Sequence, residues 1–264
     1  MPRPPMTAQV SDKNVEFAQQ LEVEFRDSAS DLLSQAGALL DAGRNDGEIG
    51  NEDRDSICRI AHRLKGLAAS FGYSLTSVVA HRAEDYLADV KVLGEKHIGD
   101  IQKFVDTLGD LVDGTVKEKN VNVSEFVRAL PSRPTDFGDV TAQDIEVLVV
   151  MPDDAVSRHV MRELQACGYR VTREGNSFKA IEIASMTKPD LVIVTGVLDM
   201  LSGIDVTSVF RAMPTTKDIP VALITGNSRD DVIAHGLPDT VPVIRKGAEF
   251  GDDLTDVPPE VGIL

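Results

Sequence analysis

The hydrophobic pattern changes its period at Asp144, and no single fold accommodates both halves. Before that point, apolar residues return every three or four positions, as on one face of a helix. Phe17, Leu21, Phe25, Leu32 and Leu33 mark such a face between Val15 and about Leu40. Ile57, Ala61, Leu64, Ala68 and Phe71 mark another between Glu52 and Phe71. Two more helices are expected over Leu75 to about Val92 and Ile98 to about Val112, with Gly43 to Asn51, Gly94 and Gly114 as punctuation. After Asp144 the chain instead offers short β-branched runs, at Ile145–Val150, Tyr169–Thr172, Leu191–Val194, Val221–Ile224 and Val241–Ile244. Helical patterns fill the gaps between them.

Four helices with short loops predict an all-α antiparallel four-helix bundle. Apolar strands alternating with helices predict an α/β domain whose parallel sheet is buried on both faces. Five strands suit the flavodoxin-like doubly wound order, with sites at the carboxyl ends of the strands. The expected layout is a disordered lead over 1–12, the bundle over 13–116 and a linker over 117–143. The α/β domain then covers 144–257 and a tail 258–264. Pro131, Pro134 and Gly138 mark the linker, within which a short helix is expected around Val123–Leu130.

The 264 residues carry a net charge of −16 and no Trp, which argues against a nucleic-acid binder. No apolar run is long enough for a bilayer. The two cysteines, Cys58 and Cys167, fall in different predicted domains, so a disulfide framework is not expected. A cytoplasmic protein is the expectation.

Chemistry concentrates in Ala61-His62-Arg63-Leu64-Lys65-Gly66. On a helix, His62 and Lys65 lie three residues apart on the face beside the apolar stripe, with Cys58 and Ala69 above and below. Gly66 costs about 1 kcal/mol relative to Ala inside a helix, and one use for it is to let another protein's backbone approach His62. On the next helix, His81 and Glu84 repeat the three-residue spacing and can meet that face if the helices are antiparallel. Imidazole accepts a phosphoryl group only with one nitrogen unprotonated and accessible. A carboxylate on the other N–H fixes that tautomer, and Glu84 is the candidate. Lys65 is placed to hold the incoming phosphoryl group or the carboxylate, and His81 to complete the network. Cys58, His62, His81 and Glu84 also read as a zinc set, but a lysine three residues from the metal opposes it. No metal site is expected.

His-x-x-Lys-Gly, followed by Phe71-Gly72 and His81-x-x-Glu84, resembles the histidine phosphotransfer (HPt) domain, particularly that of chemotaxis histidine kinases, over roughly the first 115 residues. The resemblance implies phosphorylation of His62, orientation by Glu84, and a docking face that includes Lys65 and Gly66. No kinase ATP-binding domain follows, so it implies a phosphotransfer intermediate without kinase activity of its own. Arg59, Arg63, Lys65 and Arg82 give the surroundings of His62 a local positive charge suited to an acidic partner. Cys58, Arg59, Arg63, Gly66, Ala69 and Arg82 are the docking candidates.

From about Ile145 to Leu254 the chain resembles the receiver domain of response regulators. Asp153 and Asp154 match its acidic start, Thr225 its hydroxyl position and Lys246 its lysine. The position of the phosphorylated Asp holds Thr195, and Pro152 replaces one acid of the usual pair. A threonine hydroxyl forms no acyl phosphate, and two aspartates are few ligands for Mg²⁺. The expectation is a degenerate receiver, kept as a regulatory or docking module.

Together these readings predict a phosphorelay intermediate. It takes a phosphoryl group on His62 from a phosphoaspartyl receiver, or from a sensor or hybrid histidine kinase, and passes it to another receiver's Asp. This chain would bind no cofactor, and Mg²⁺ is expected on the partner receiver. Nucleic acid and membrane are not expected partners. The rival reading is a non-catalytic adaptor or inhibitor of a kinase or regulator.

Overall fold

A computed structural model describes residues 6–88, 90, 92–132 and 144–245, with side chains from residue 14 onward. The chain divides into two compact units, Met1–Asn122 and Val123–Leu264.

The first unit is the helical bundle, built from α1 (Met6–Asp46), α2 (Asn51–Phe71), α3 (Ser74–Leu87) and α4 (Glu95–Val112). Phe25, Ala29, Leu32, Ala36 and Leu40 form the buried stripe of α1 at helical spacing. From α2, Ile57, Ile60, Ala61, Leu64 and Ala68 are buried. Phe71 is half-buried and packs on Phe25, with ring centroids 5.8 Å apart. Helix α2 ends because Gly72 takes the left-handed conformation (φ 81°), which lets the Tyr73 N–H reach the Ala68 carbonyl at 2.8 Å. That reversal brings α3 back along α2.

Several boundaries differ from the sequence expectation. Helix α1 begins at Met6, so residues 6–12 are helical where a disordered lead was expected; the prolines stand only at 2, 4 and 5. The helix also runs through Gly43. A Cβ there would lie 2.0 Å from Ile49 Cγ1, so the glycine lets Ile49 fold back onto the helix. Ile49 belongs to the two-residue strand β1 (Glu48–Ile49), which pairs antiparallel with β2 (Leu93–Gly94). This pairing explains why α3 stops at Leu87 although Val90 and Val92 continue an apolar pattern: Leu93 is buried in the bridge instead.

The expected linker over 117–143 is partly built into the two units. A 3₁₀ turn at Glu118–Asn120 puts the Glu118 carboxylate on the start of α3, where it accepts from Leu75 N at 3.2 Å, Thr76 N at 2.9 Å and Thr76 Oγ1 at 2.8 Å. It supplies the N-terminal cap that Tyr73 cannot. Helix α5 (Val123–Arg128) then belongs to the second unit. Val127 and Leu130 are buried, Arg128 is bound to Asp190, and Arg170 Nη2 donates to the Leu130 carbonyl at 2.6 Å. Residues 133–143 lie outside the described residues.

The second unit is a five-stranded parallel sheet in the order β4-β3-β5-β6-β7. Its strands are β3 (Glu146–Val150), β4 (Arg170–Glu174), β5 (Leu191–Thr195), β6 (Val221–Thr225) and β7 (Val243–Arg245). This is the flavodoxin-like order. The helices between them are α6 (Ala155–Ala166), α7 (Ser177–Thr187), α8 (Gly203–Ala212) and α9 (Arg229–Ala234). Alternate strand residues go to opposite layers. Val147, Val149, Ile193 and Ile224 pack with Val160 and Leu164 of α6. Leu148, Val150, Val194 and Leu223 pack with Ala180, Val206 and Phe210.

Gly203 is the tight point of this unit. A Cβ there would stand 2.1 Å from the Thr195 carbonyl and 2.9 Å from Gly196 Cα, both backbone. Gly203→Ala is therefore expected to destabilise the second unit by about 3 kcal/mol, at the upper end of ordinary overpacking. Differential scanning calorimetry checks it: the transition of the second unit moves down and that of the bundle stays.

Candidate functional site

His62 stands on α2 with its side chain 66 % exposed, facing a half-buried Glu84 from α3. Its Nδ1 is 2.8 Å from Glu84 Oε1. A carboxylate only accepts, so Nδ1 carries the proton. In the neutral ring this leaves the Nε2 lone pair free.

The other Glu84 oxygen accepts from Lys65 Nζ at 2.5 Å. Of the two roles open to Lys65 from the sequence, the structure puts its ammonium on the carboxylate. Burial raises the Glu84 pKa. The hydrogen bonds from Lys65 and then His62 outweigh it, and the carboxyl titrates below its ordinary range. Lys65 Nζ also lies 3.4 Å from Nδ1 of the buried His81. On the far side of that ring, Nε2 is 3.5 Å from Asp85 Oδ2. Asp85 escaped the sequence reading, although its spacing of four from His81 is a helix-surface pair.

The docking candidates divide by depth. Arg59, Arg63, Gly66 and Ala69 are exposed, while Cys58 and Arg82 are half-buried. Burial, and then the Glu84 charge, push the Cys58 thiol up and keep it protonated. Arg59 donates to Ser56 Oγ at 2.9 Å. A Cβ added at Gly66 would meet nothing within 4 Å, so no atom of the described fold asks for glycine there. A groove of about 520 Å³ between α1 and α2 has Leu39, Ile60, Arg59 and Arg63 in its lining. Leu39 is a contribution of α1 that the sequence reading did not include.

At the carboxyl edge of the parallel sheet, both aspartates are engaged. Asp154 caps α6, accepting from Ser157 N at 2.8 Å. Asp153 pairs with Arg158 at 2.9 Å and lies 3.9 Å from Arg173. Thr195 ends β5 and is buried; Thr225 ends β6, and its Oγ1 accepts from Asn227 N at 3.2 Å. Lys246 lies outside the described residues. Among the described residues, no three His, Cys, Asp or Glu side chains gather closely enough to hold a metal ion, and no helix is long and apolar enough to cross a membrane.

Residues 20–115 match the family model of the Hpt domain. Response regulators are the curated relatives over the C-terminal region. The transcriptional regulatory protein PrrA of Mycobacterium leprae is 29% identical over 99 residues, covering 38% of this chain and 42% of the relative. The response regulator MprA of a Mycobacterium species is 30% identical over 88 residues, covering 33% and 36%. The polar-differentiation response regulator DivK of Brucella anthropi is 28% identical over 79 residues, covering 30% and 64%. The chain thus spans less than half the length of the first two. Among solved structures, a putative response regulator from Chloroflexus aurantiacus is 23% identical, covering 44% of this chain and 96% of that one, with a TM-score of 0.39. An Hpt match followed by receiver relatives indicates involvement in two-component phosphorelay signalling.

Proposed function

We propose that the chain is a phosphorelay intermediate that carries a phosphoryl group on Nε2 of His62. The observation that supports it most is the exposed imidazole whose Nδ1–H is held by Glu84 at 2.8 Å. Nε2 attacks in line, the P–N bond forms, and the P–O bond to the donor aspartate breaks, returning that carboxylate. The ring becomes cationic as it accepts, and its proton stays on Nδ1, where the Glu84 charge is already placed. Such transfer has a loose transition state, so positioning supplies most of the catalysis. The partner's own metal and lysine would serve the phosphoryl oxygens, since Lys65 of this chain is engaged with Glu84. Partners would be receiver domains and a sensor or hybrid histidine kinase.

The second unit is proposed as a regulatory or docking module that is not itself phosphorylated. Thr195 provides no carboxylate, Asp154 is a helix cap, and Asp153 is shared with Arg158 and Arg173. That donor set does not fit a hard divalent cation, which needs several free oxygens.

The test uses purified phosphorylated receiver domains as donors, with label followed to this chain. Label at His62 supports the reading; label absent with every donor, or retained in His62→Gln, rejects it. Gly66→Ala separates docking from chemistry. With open space around the position, the substitution is expected to stabilise the bundle by about 0.5–1 kcal/mol. It is also expected to slow transfer from a receiver while leaving acceptance from phosphoramidate unchanged. Equal slowing with both donors would place its effect on the histidine itself.

A further inference from the structure

We infer that Asp85 is a positioning residue that holds the phosphoacceptor apparatus through His81 and Lys65; its positioning of His62 for transfer rests on the proposed function.

The Lys65 ammonium has three N–H donors and no lone pair. Its approach to His81 Nδ1, at 3.4 Å, is favourable only if that nitrogen is unprotonated. The His81 proton then sits on Nε2, where Asp85 Oδ2 stands 3.5 Å away. A carboxylate at that nitrogen favours this tautomer over its alternative. The two side chains are 10% and 13% exposed, so water competes little for either.

The consequence reaches His62 through a continuous chain of contacts. Asp85 sets the tautomer of His81, and His81 Nδ1 steadies one N–H of Lys65. A second N–H of Lys65 binds Glu84 Oε2, and Glu84 Oε1 holds Nδ1 of His62. Removal of the carboxylate withdraws the charge that favours the Nε2–H tautomer, and a proton moved to Nδ1 would face the ammonium. Lys65 must then turn away, and Glu84 loses the contact that fixes its second oxygen. Asp85 touches neither the phosphoryl group nor the acceptor ring.

The test is long-range proton–nitrogen NMR on the full chain, with signals assigned through His→Gln variants of the 5 histidines. In the wild type, His81 is expected as the Nε2–H tautomer and His62 as the Nδ1–H tautomer. Asp85→Ala is expected to mix the tautomers of both rings. Asp85→Asn, whose amide oxygen keeps an acceptor facing Nε2, is expected to restore them. Phosphoramidate labelling of His62 should slow about tenfold in Asp85→Ala, in the range of outer-shell positioning effects, and recover in Asp85→Asn. An Nδ1–H tautomer of His81 in the wild type overturns the inference without any variant. Unchanged tautomers in Asp85→Ala overturn it as well. A wild type with the expected tautomers that accepts no phosphoryl group rejects the proposed function and leaves the arrangement of the network standing.

Discussion

Replacing His62 by Gln is expected to abolish phosphoryl acceptance and leave the bundle folded. The side chain is 66% exposed, and its one described polar tie is to Glu84. Gln is also polar and keeps side-chain N–H donors for Glu84, so the thermal transition of the bundle should move little. The chemistry has no substitute, because an amide nitrogen has no lone pair free for attack. Label transfer from a phosphorylated receiver measures the loss. Thr195→Ala is the matched control, and transfer to His62 should survive it, since Thr195 is buried at the end of β5 in the other unit. In a cell that depends on this chain, the adaptor reading expects His62→Ala to keep its effect. The relay reading expects that effect to vanish.

Removing Glu84 is the second large effect, and it separates orientation from charge. Glu84→Ala frees the Nδ1–H of His62, lets the ring turn, and withdraws the charge that faces the developing imidazolium. A loss of about 10²-fold in the rate of acceptance is expected. Glu84→Gln keeps an acceptor oxygen without the charge, and its rate should fall between the two. The pH behaviour follows from the lowered carboxyl pKa, whose sign is fixed by Lys65 and His62 outweighing burial. The stability contributed by this carboxylate is fully present above the ordinary glutamate value of about 4.3 and is lost as pH falls through the lower folded value. Carboxyl carbon NMR should show Glu84 titrating below the ordinary range in the wild type and moving upward in Lys65→Met. An unchanged midpoint in that variant would remove Lys65 from the network.

The parts of this structure that were readable from the chain are those fixed by local periodicity. Runs such as Leu191–Val194, short and rich in β-branched residues, read as strands buried on both faces. The repeated spacing of three, His62 to Lys65 and His81 to Glu84, carried the site because two antiparallel helices present such pairs to each other. What escaped depended on contacts distant in sequence. Pro131 and Pro134 made their surroundings look like a linker. Yet the preceding turn carries Glu118, used 42 residues away at Thr76, and α5 is held by Arg128 and Arg170. Likewise, the end of α3 was hidden because Val90 and Val92 keep an apolar rhythm, while the Leu93 pairing with Ile49 decides the outcome. Asp85 was overlooked for a different reason. Its spacing to His81 was visible, but a carboxylate four residues along a helix is usually a solvated partner. The buried ring between it and Lys65 is what ties it to the site.

The most direct measurement is phosphorus NMR of the full chain after treatment with phosphoramidate, read for which nitrogen of which histidine carries phosphorus. The account predicts one phosphohistidine, at Nε2 of His62, absent from His62→Gln. Phosphorus on Nδ1, on another histidine, or on none would contradict it.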